Sequence, residues 1–295
     1  MLRTIAEGIW IFDTGTDGPS VGIAFGLHGN ERPPIDAGLA LVRAVESGEL
    51  ALQVGKLLLI HGNPRAFAQD ERCSQGGVDL NRCFHRNVLG RKPERFEESR
   101  AAEIVAALEE HETRTLVDFH CTVEPGPRFL LQHPPVGNAA HRAVFDLLQA
   151  EVLLSDPHLN FGNVSLDEWM STRERIGICY ETGWIQDPAN TQEFVLGEMK
   201  NVLVGTGLLA GEPSRYLQKR LLQLEGALTC SGEGFQWLAG VGLNLQALPA
   251  GTKLGSYADG AEVVLEDDAT LVFPKKRPEL VELGKPLVYV ARLIN

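Results

Sequence analysis

Short apolar runs alternate with helical patterns through the first two thirds of the chain, and that alternation leaves few folds open. The segment SVGIAFGLHG (20–29) begins as a buried strand and ends in a glycine-rich turn. Pro33 and Pro34 follow where a helix can begin, because proline fits the first helical turn. Ile35, Leu39, Val42 and Val45 then recur at helical spacing up to Ser47-Gly48. A second strand, KLLLIHGNP (56–64), stops at Asn-Pro. In FEESRAAEIVAALEEH (96–111), Ile104, Ala107, Leu108 and His111 share one helical face. TLVDFH (115–120) and RFLLQ (128–132) are a third and a fourth strand. NAAHRAVFDLLQAE reads as helix, RIGICYE (175–181) as strand, and TQEFVLGEMKNVLVGTGLLAG (191–211) as a long amphipathic helix closed by glycine. Strands joined by helical crossovers predict an α/β fold, a mixed, largely parallel sheet with helices on both faces.

Past Gly211-Glu212-Pro213-Ser214 the texture changes. Short apolar segments punctuated by Gly, Pro and Asp, such as EVVLEDDATLVFP and LVYVARLI, carry an all-β signature. We therefore expect one domain over 1–211 and a smaller C-terminal β domain over 212–295.

The chain of 295 residues carries a formal charge of −12, with no basic run that escapes the average. Such a field repels nucleic acid and anionic membrane surfaces, whose phosphates are bound by clustered Lys and Arg. No apolar stretch approaches the ~20 residues of a membrane helix. Five cysteines, an odd number without CxxC spacing, argue against a disulfide framework and for reduced thiols in a cytoplasmic protein. Oligomeric state is not legible, and a homo-oligomer is compatible with everything above.

The residues that carry chemistry gather at predicted strand ends. His28 and Glu31, three apart, converge on one point if the chain turns helically, and both side chains are good zinc donors. Alone the pair is weak evidence. His120 strengthens it, standing at the C-terminal end of another strand, the edge where open α/β sheets build their sites. Asp118, two residues earlier, shares its face and can orient the imidazole. Glu181 ends a further strand, where a carboxylate beside a metal and a water can act as general base. The polar stretch 65–95 is too long for an idle connection. It holds Arg65 and the pair Asn81-Arg82, which suit recognition of an anion, while Arg72 and Arg86 read as solvated surface charges.

Taken together, GLHGNE (26–31), GNPRA (62–66), DLNRCF (79–84), LVDFHC (116–121) and YETG (180–183) resemble the succinylglutamate desuccinylase/aspartoacylase family, relatives of the zinc carboxypeptidases. The C-terminal stretch NLQALPAGTKLGSYADG (244–260) looks more like the succinylglutamate desuccinylases. The resemblance implies a zinc carboxypeptidase-like catalytic domain with one Zn2+ on His28, Glu31 and His120 and Glu181 as general base. It further implies Arg65 at the polarised carbonyl, Asn81 and Arg82 on a substrate carboxylate, and Arg173 or Arg175 on another. The implied substrate is a small anionic N-acyl amino acid, cleaved at its amide. Two rivals stand beside this: a metallocarboxypeptidase acting on peptides, which needs an open groove, and a non-catalytic metal-binding module.

Overall fold

The computed structural model describes residues 2–133, 138–157 and 164–294. A hairpin, β1 (Leu2–Ala6) and β2 (Ile9–Asp13), precedes the first predicted strand. That strand, β3 (Ser20–Phe25), leads into α1 (Arg32–Glu46), with prolines in its first turn. Then come β4 (Lys56–His61), α2 (Pro64–Gln69), a 3-10 turn at Leu80–Arg82, α3 (Arg86–Leu89) and α4 (Phe96–Glu110). After β5 (Thr115–Thr122) and β6 (Phe129–Gln132), the helix expected from 138 to 151 stops early. It comprises only α5 (Ala139–Phe145), and the apolar residues after it form β7 (Val152–Ser155). A short α6 (Leu166–Ser171), β8 (Ile176–Trp184) and α7 (Gln192–Gly205) follow.

The strands β3, β4, β5 and β8 are mutually parallel neighbours in the order β4-β3-β5-β8, and almost all their residues are buried. Burial on both faces is what makes them read as continuous apolar runs. On one face α1 and α7 pack together, with Leu41, Val45, Val195, Met199 and Val202 lying over Ile23, Phe119 and Tyr180. On the other, α4 and α6 place Ile104, Leu108, Trp169 and Met170 against Ala24, Leu58 and Leu116. The fold class expected from the sequence is the one observed.

From 220 onward the chain is built of strands: β9 (Arg220–Thr229), β10 (Gln236–Trp237), β11 (Ala247–Leu248), β12 (Lys253–Ser256), β13 (Glu262–Val264), β14 (Ala269–Val272) and β15 (Pro286–Leu293). The expected boundary near 212 falls in the link between α7 and β9. Hydrogen bonding nevertheless runs on across it, because β9 pairs in parallel with β7. The result is a twelve-stranded sheet in the order β1-β2-β4-β3-β5-β8-β6-β7-β9-β15-β14-β11, with β10, β12 and β13 in a separate small sheet. No described helix is long and apolar enough to cross a membrane.

Two glycines set the turn between β3 and α1. Gly26 has φ +65°, a conformation costly for other residues. A Cβ on Gly29 would lie 2.1 Å from the backbone of Ala66 and Phe67, so only glycine lets the first turn of α2 rest on this loop. Gly29→Ala should therefore destabilise the protein by about 1–3 kcal/mol, the usual cost of overpacking. Urea unfolding measures this, and an unchanged midpoint would mean that α2 does not touch the loop.

Candidate active site

The C-terminal ends of β3, β5 and β8 open into one cavity of about 410 Å³. His28 and Glu31 come from the turn after β3, with Glu31 at the N-cap of α1. His120 lies near the end of β5 and faces Glu181 of β8 in the sheet register. All four side chains are buried.

His28 Nδ1 lies 2.7 Å from Glu31 Oε1, and His120 Nδ1 lies 3.0 Å from Glu31 Oε2. The outer nitrogens are held as well: His28 Nε2 stands 3.0 Å from Asp79 Oδ1 and His120 Nε2 2.9 Å from Asp118 Oδ2. A neutral imidazole has one N–H to donate. If it is given outward to the carboxylate, the inner Nδ1 keeps a lone pair aimed at an anionic oxygen. Only a proton or a metal cation satisfies both atoms. The donor atoms of His28, Glu31 and His120 all lie within 4.8 Å of one another, so the three residues can hold one metal ion. The outer carboxylates supply the orienting partners that ligating histidines require.

Electrostatics follow the same arrangement. Burial alone would raise the Glu31 carboxyl, but the His28 and His120 charges outweigh it and hold it far below the usual carboxylate range. Burial disfavours a charged His120, yet Asp118 and Glu31 prevail and raise its pKa well above the ordinary value. Glu181 behaves differently. Burial lifts its carboxyl to about 7, His120 opposes and Glu31 adds to the rise, and its Oε2 is buried without a hydrogen-bond partner among the described residues.

The long loop 70–95 is shaped from a distance. Buried Glu97 of α4 accepts hydrogen bonds from the backbone N–H groups of Ser74 and Val78, from the Ser74 hydroxyl and from Asn63 Nδ2. This carries Arg72 to the cavity wall, where Nη2 donates to Asp79 Oδ2 at 2.8 Å and Nη1 stands 3.9 Å from Glu31 Oε1. Asp79 is half-buried, which alone would raise its carboxyl, but His28 and Arg72 flank it and hold it well below the usual carboxylate range.

Residues 17–154 match the succinylglutamate desuccinylase/aspartoacylase catalytic domain. Over these residues the chain is similar to the succinylglutamate desuccinylase/aspartoacylase family. It is similar to a succinylglutamate desuccinylase of Paraburkholderia xenovorans, 27% identical over 271 residues that cover 86% of this chain and 77% of that one. A stretch of 62 residues is 45% identical to the succinylglutamate desuccinylase of Erwinia tasmaniensis, covering 21% of this chain but only 18% of that protein's length. The crystal structure of the Vibrio cholerae succinylglutamate desuccinylase shares the fold, with a TM-score of 0.79 at 16% identity over 100% of this chain and 88% of that one.

Within this fold, the structure brings together most of the residues singled out in the sequence. His28, Glu31, His120, Glu181, Asn81 and Arg82 all line the cavity. Asn81 is buried, its Oδ1 accepting from the Leu166 N–H, while Arg82 Nη1 donates to the Asn81 carbonyl at 2.7 Å. Four arginines depart from expectation. Arg65 is exposed on α2, a helix that buries only Ala66, and its guanidinium stacks 3.9 Å over the Phe96 ring, away from the cavity. Arg72, which reads as a surface charge, is indeed exposed in part but also lines the cavity. Arg173 and Arg175 pair with Glu109 beside the N-terminal start of β8. Glu181 lies six residues beyond Arg175, ~20 Å along an extended strand, at the opposite edge of the sheet. Sequence reasoning also missed Lys275 and Arg277, which line the cavity from the connection after β14. No local pattern marks them.

After exposure to excess Zn2+ and desalting, the protein should retain about one ion per chain, the stoichiometry of a three-ligand site. His120→Ala should retain little of it. Elemental analysis decides, and full occupancy in the variant would remove His120 from the ligand set.

Proposed function

We propose that the protein is a zinc-dependent amide hydrolase that cleaves small N-acyl amino acids carrying an anionic group, N-succinylglutamate or a close relative. The observation that carries this reading is Glu181. It is a buried carboxylate poised at about 7, with an unpartnered oxygen, inside a cavity shared with a His–Glu–His cluster. General acid–base groups work best when their pKa lies near the operating pH.

His28, Glu31 and His120 would hold the zinc, which when bound supplies Lewis acidity and acidifies a water. Asp79 and Asp118 keep the two imidazoles turned so that Nδ1 faces the centre. Glu181 takes a proton from the attacking water at its free carboxylate oxygen and returns it to the leaving nitrogen, so that amide cleavage releases a carboxylate and an amine. Arg72, held by Asp79, donates to the carbonyl oxygen as negative charge gathers there, the role first assigned to Arg65. Arg82 binds a substrate carboxylate.

Enclosure favours a small substrate over a peptide. Leu224, Asn244, Phe273 and Tyr289 of the C-terminal strands complete the cavity wall, where a carboxypeptidase needs an open groove. Turnover of N-succinylglutamate, N-acetylaspartate and short peptides by the zinc-loaded protein tests the class. Cleavage of peptides alone would transfer the assignment to the peptidases, and silence on the whole panel would favour a binding module.

Glu181→Gln preserves size but cannot accept the proton. Its kcat should fall by ~10²-fold or more while zinc content and substrate affinity stay near those of the parent. Loss of zinc would make Glu181 a ligand, and a retained kcat would make it a structural carboxylate.

The two arginines separate in the same assay. Arg72→Lys should lower kcat by roughly 10²-fold, as loss of an oxyanion donor does, whereas Arg65→Ala should leave kcat/KM nearly unchanged. The reverse pattern would restore Arg65 to the site.

A further inference from the structure

The connection after β14 is built to deliver one side chain. Phe273 leaves the strand with φ +50°, and Leu245, packed beside it, has φ +60°. Side chains rarely adopt this conformation, and such outliers persist only where surrounding structure enforces them. Here buried Asn244 accepts the Phe273 N–H at 2.8 Å, and the Leu245 N–H donates to the Leu271 carbonyl at 2.7 Å. Two residues on, the peptide is fixed from both sides. The Lys275 N–H donates to the Leu287 carbonyl at 2.9 Å, and the Lys275 carbonyl accepts from Trp237 Nε1 at 2.8 Å.

The consecutive lysines then diverge. Lys276 turns into the C-terminal strands, where Nζ donates to the Val241 carbonyl and lies 5.1 Å from the Trp237 ring. Lys275 instead lines the cavity with Arg72 and Arg82. Arg72 is paired with Asp79, but among the described residues no carboxylate stands within ion-pair distance of Lys275 or Arg82. Burial, then the nearby Arg72 and Arg82 charges, lowers the Lys275 pKa, a repulsion that a bound anion would relieve.

We propose that Lys275 and Arg82 close on one carboxylate of the substrate from the two halves of the chain, making Lys275 the residue by which the C-terminal strands select an anionic substrate. This rests on the hydrolase reading for the identity of the anion. Binding of product-like anions tests it apart from turnover.

Calorimetry on the full-length, zinc-loaded protein uses succinate, glutamate and uncharged succinamide as probes. Lys275→Met should weaken at least one of the two anions by ~10-fold, the scale of one lost charge-assisted hydrogen bond, and leave succinamide unaffected. Lys275→Arg should keep most of the affinity and shows that the position tolerates change. Lys285→Gln removes the same charge from an exposed site and should alter nothing. The proposal is overturned if Lys275→Met binds both anions as tightly as the parent, if Lys285→Gln loses as much, or if the parent binds neither anion. Anion binding through Lys275 without cleavage of any N-acyl amino acid would keep the clamp and sink the reaction.

Discussion

Two buried imidazoles aim the same ring nitrogen at the two oxygens of one buried carboxylate, and the rest of the site takes its position from that contact. A carboxylate so enclosed is costly unless compensated. Glu31 is compensated by both histidines and by the Cys121 N–H, which donates to Oε2 at 3.2 Å. Each histidine is in turn braced by a carboxylate on its far side, so neither ring can rotate without losing a partner. The demand propagates outward. Asp118 needs β5 to keep its register with β3 and β8, and Asp79 needs the 3-10 turn whose N-cap it forms. Helix α1 must begin at Glu31, which the Gly26 and Gly29 backbones and the two prolines arrange.

The C-terminal strands add a wall rather than a second site. Because β9 pairs with β7 and β15 with β9, the strand ends that carry the histidines and the connections that face them belong to one hydrogen-bonded sheet. A wall anchored this way can hold a side chain at a fixed height above the cluster, which a loosely tethered lid could not. The strained backbone at Phe273 and Leu245 fits that picture, since each is over-determined by its hydrogen bonds.

How much of this was legible in the sequence depended on the range of the forces involved. Strands β3, β4 and β5 announced themselves because burial on both faces leaves an unbroken apolar run. His28, Glu31, His120 and Glu181 were readable because strand-end positions are local facts. The β1–β2 hairpin and β7 were missed: the hairpin interleaves polar residues, and VLLS continues the helical pattern before it. That Arg72 rather than Arg65 lines the cavity was not legible at all. Which arginine of a long loop faces inward is decided by Glu97, some twenty positions downstream, through bonds to Ser74 and Val78. Arg173 and Arg175 failed for a geometric reason, since nearness in sequence to Glu181 is distance along a strand.

Net charge misleads in the same way. A chain at −12 repels small anions in bulk, yet Arg72, Arg82, Lys275 and Arg277 concentrate positive charge in the cavity they line together with Glu31 and Glu181. Low-dielectric walls focus that local field, while the diffuse surface charge is screened within ~8 Å at physiological salt. The cations can therefore govern an anion that has reached the mouth, and the surface governs only its approach. The arrangement also separates functions that would otherwise conflict. As the proposed base, Glu181 must remain basic enough to take a proton, which a cation in direct contact would prevent by holding the carboxylate ionised. Arg72 is kept from it by being bound to Asp79, and it acts on Glu181 less than His120, Glu31 and His28 do. Pairing an arginine to one carboxylate thus leaves its positive charge at the wall while sparing the other carboxylate, and in the proposed mechanism that lets oxyanion stabilisation and general-base chemistry share a single cavity.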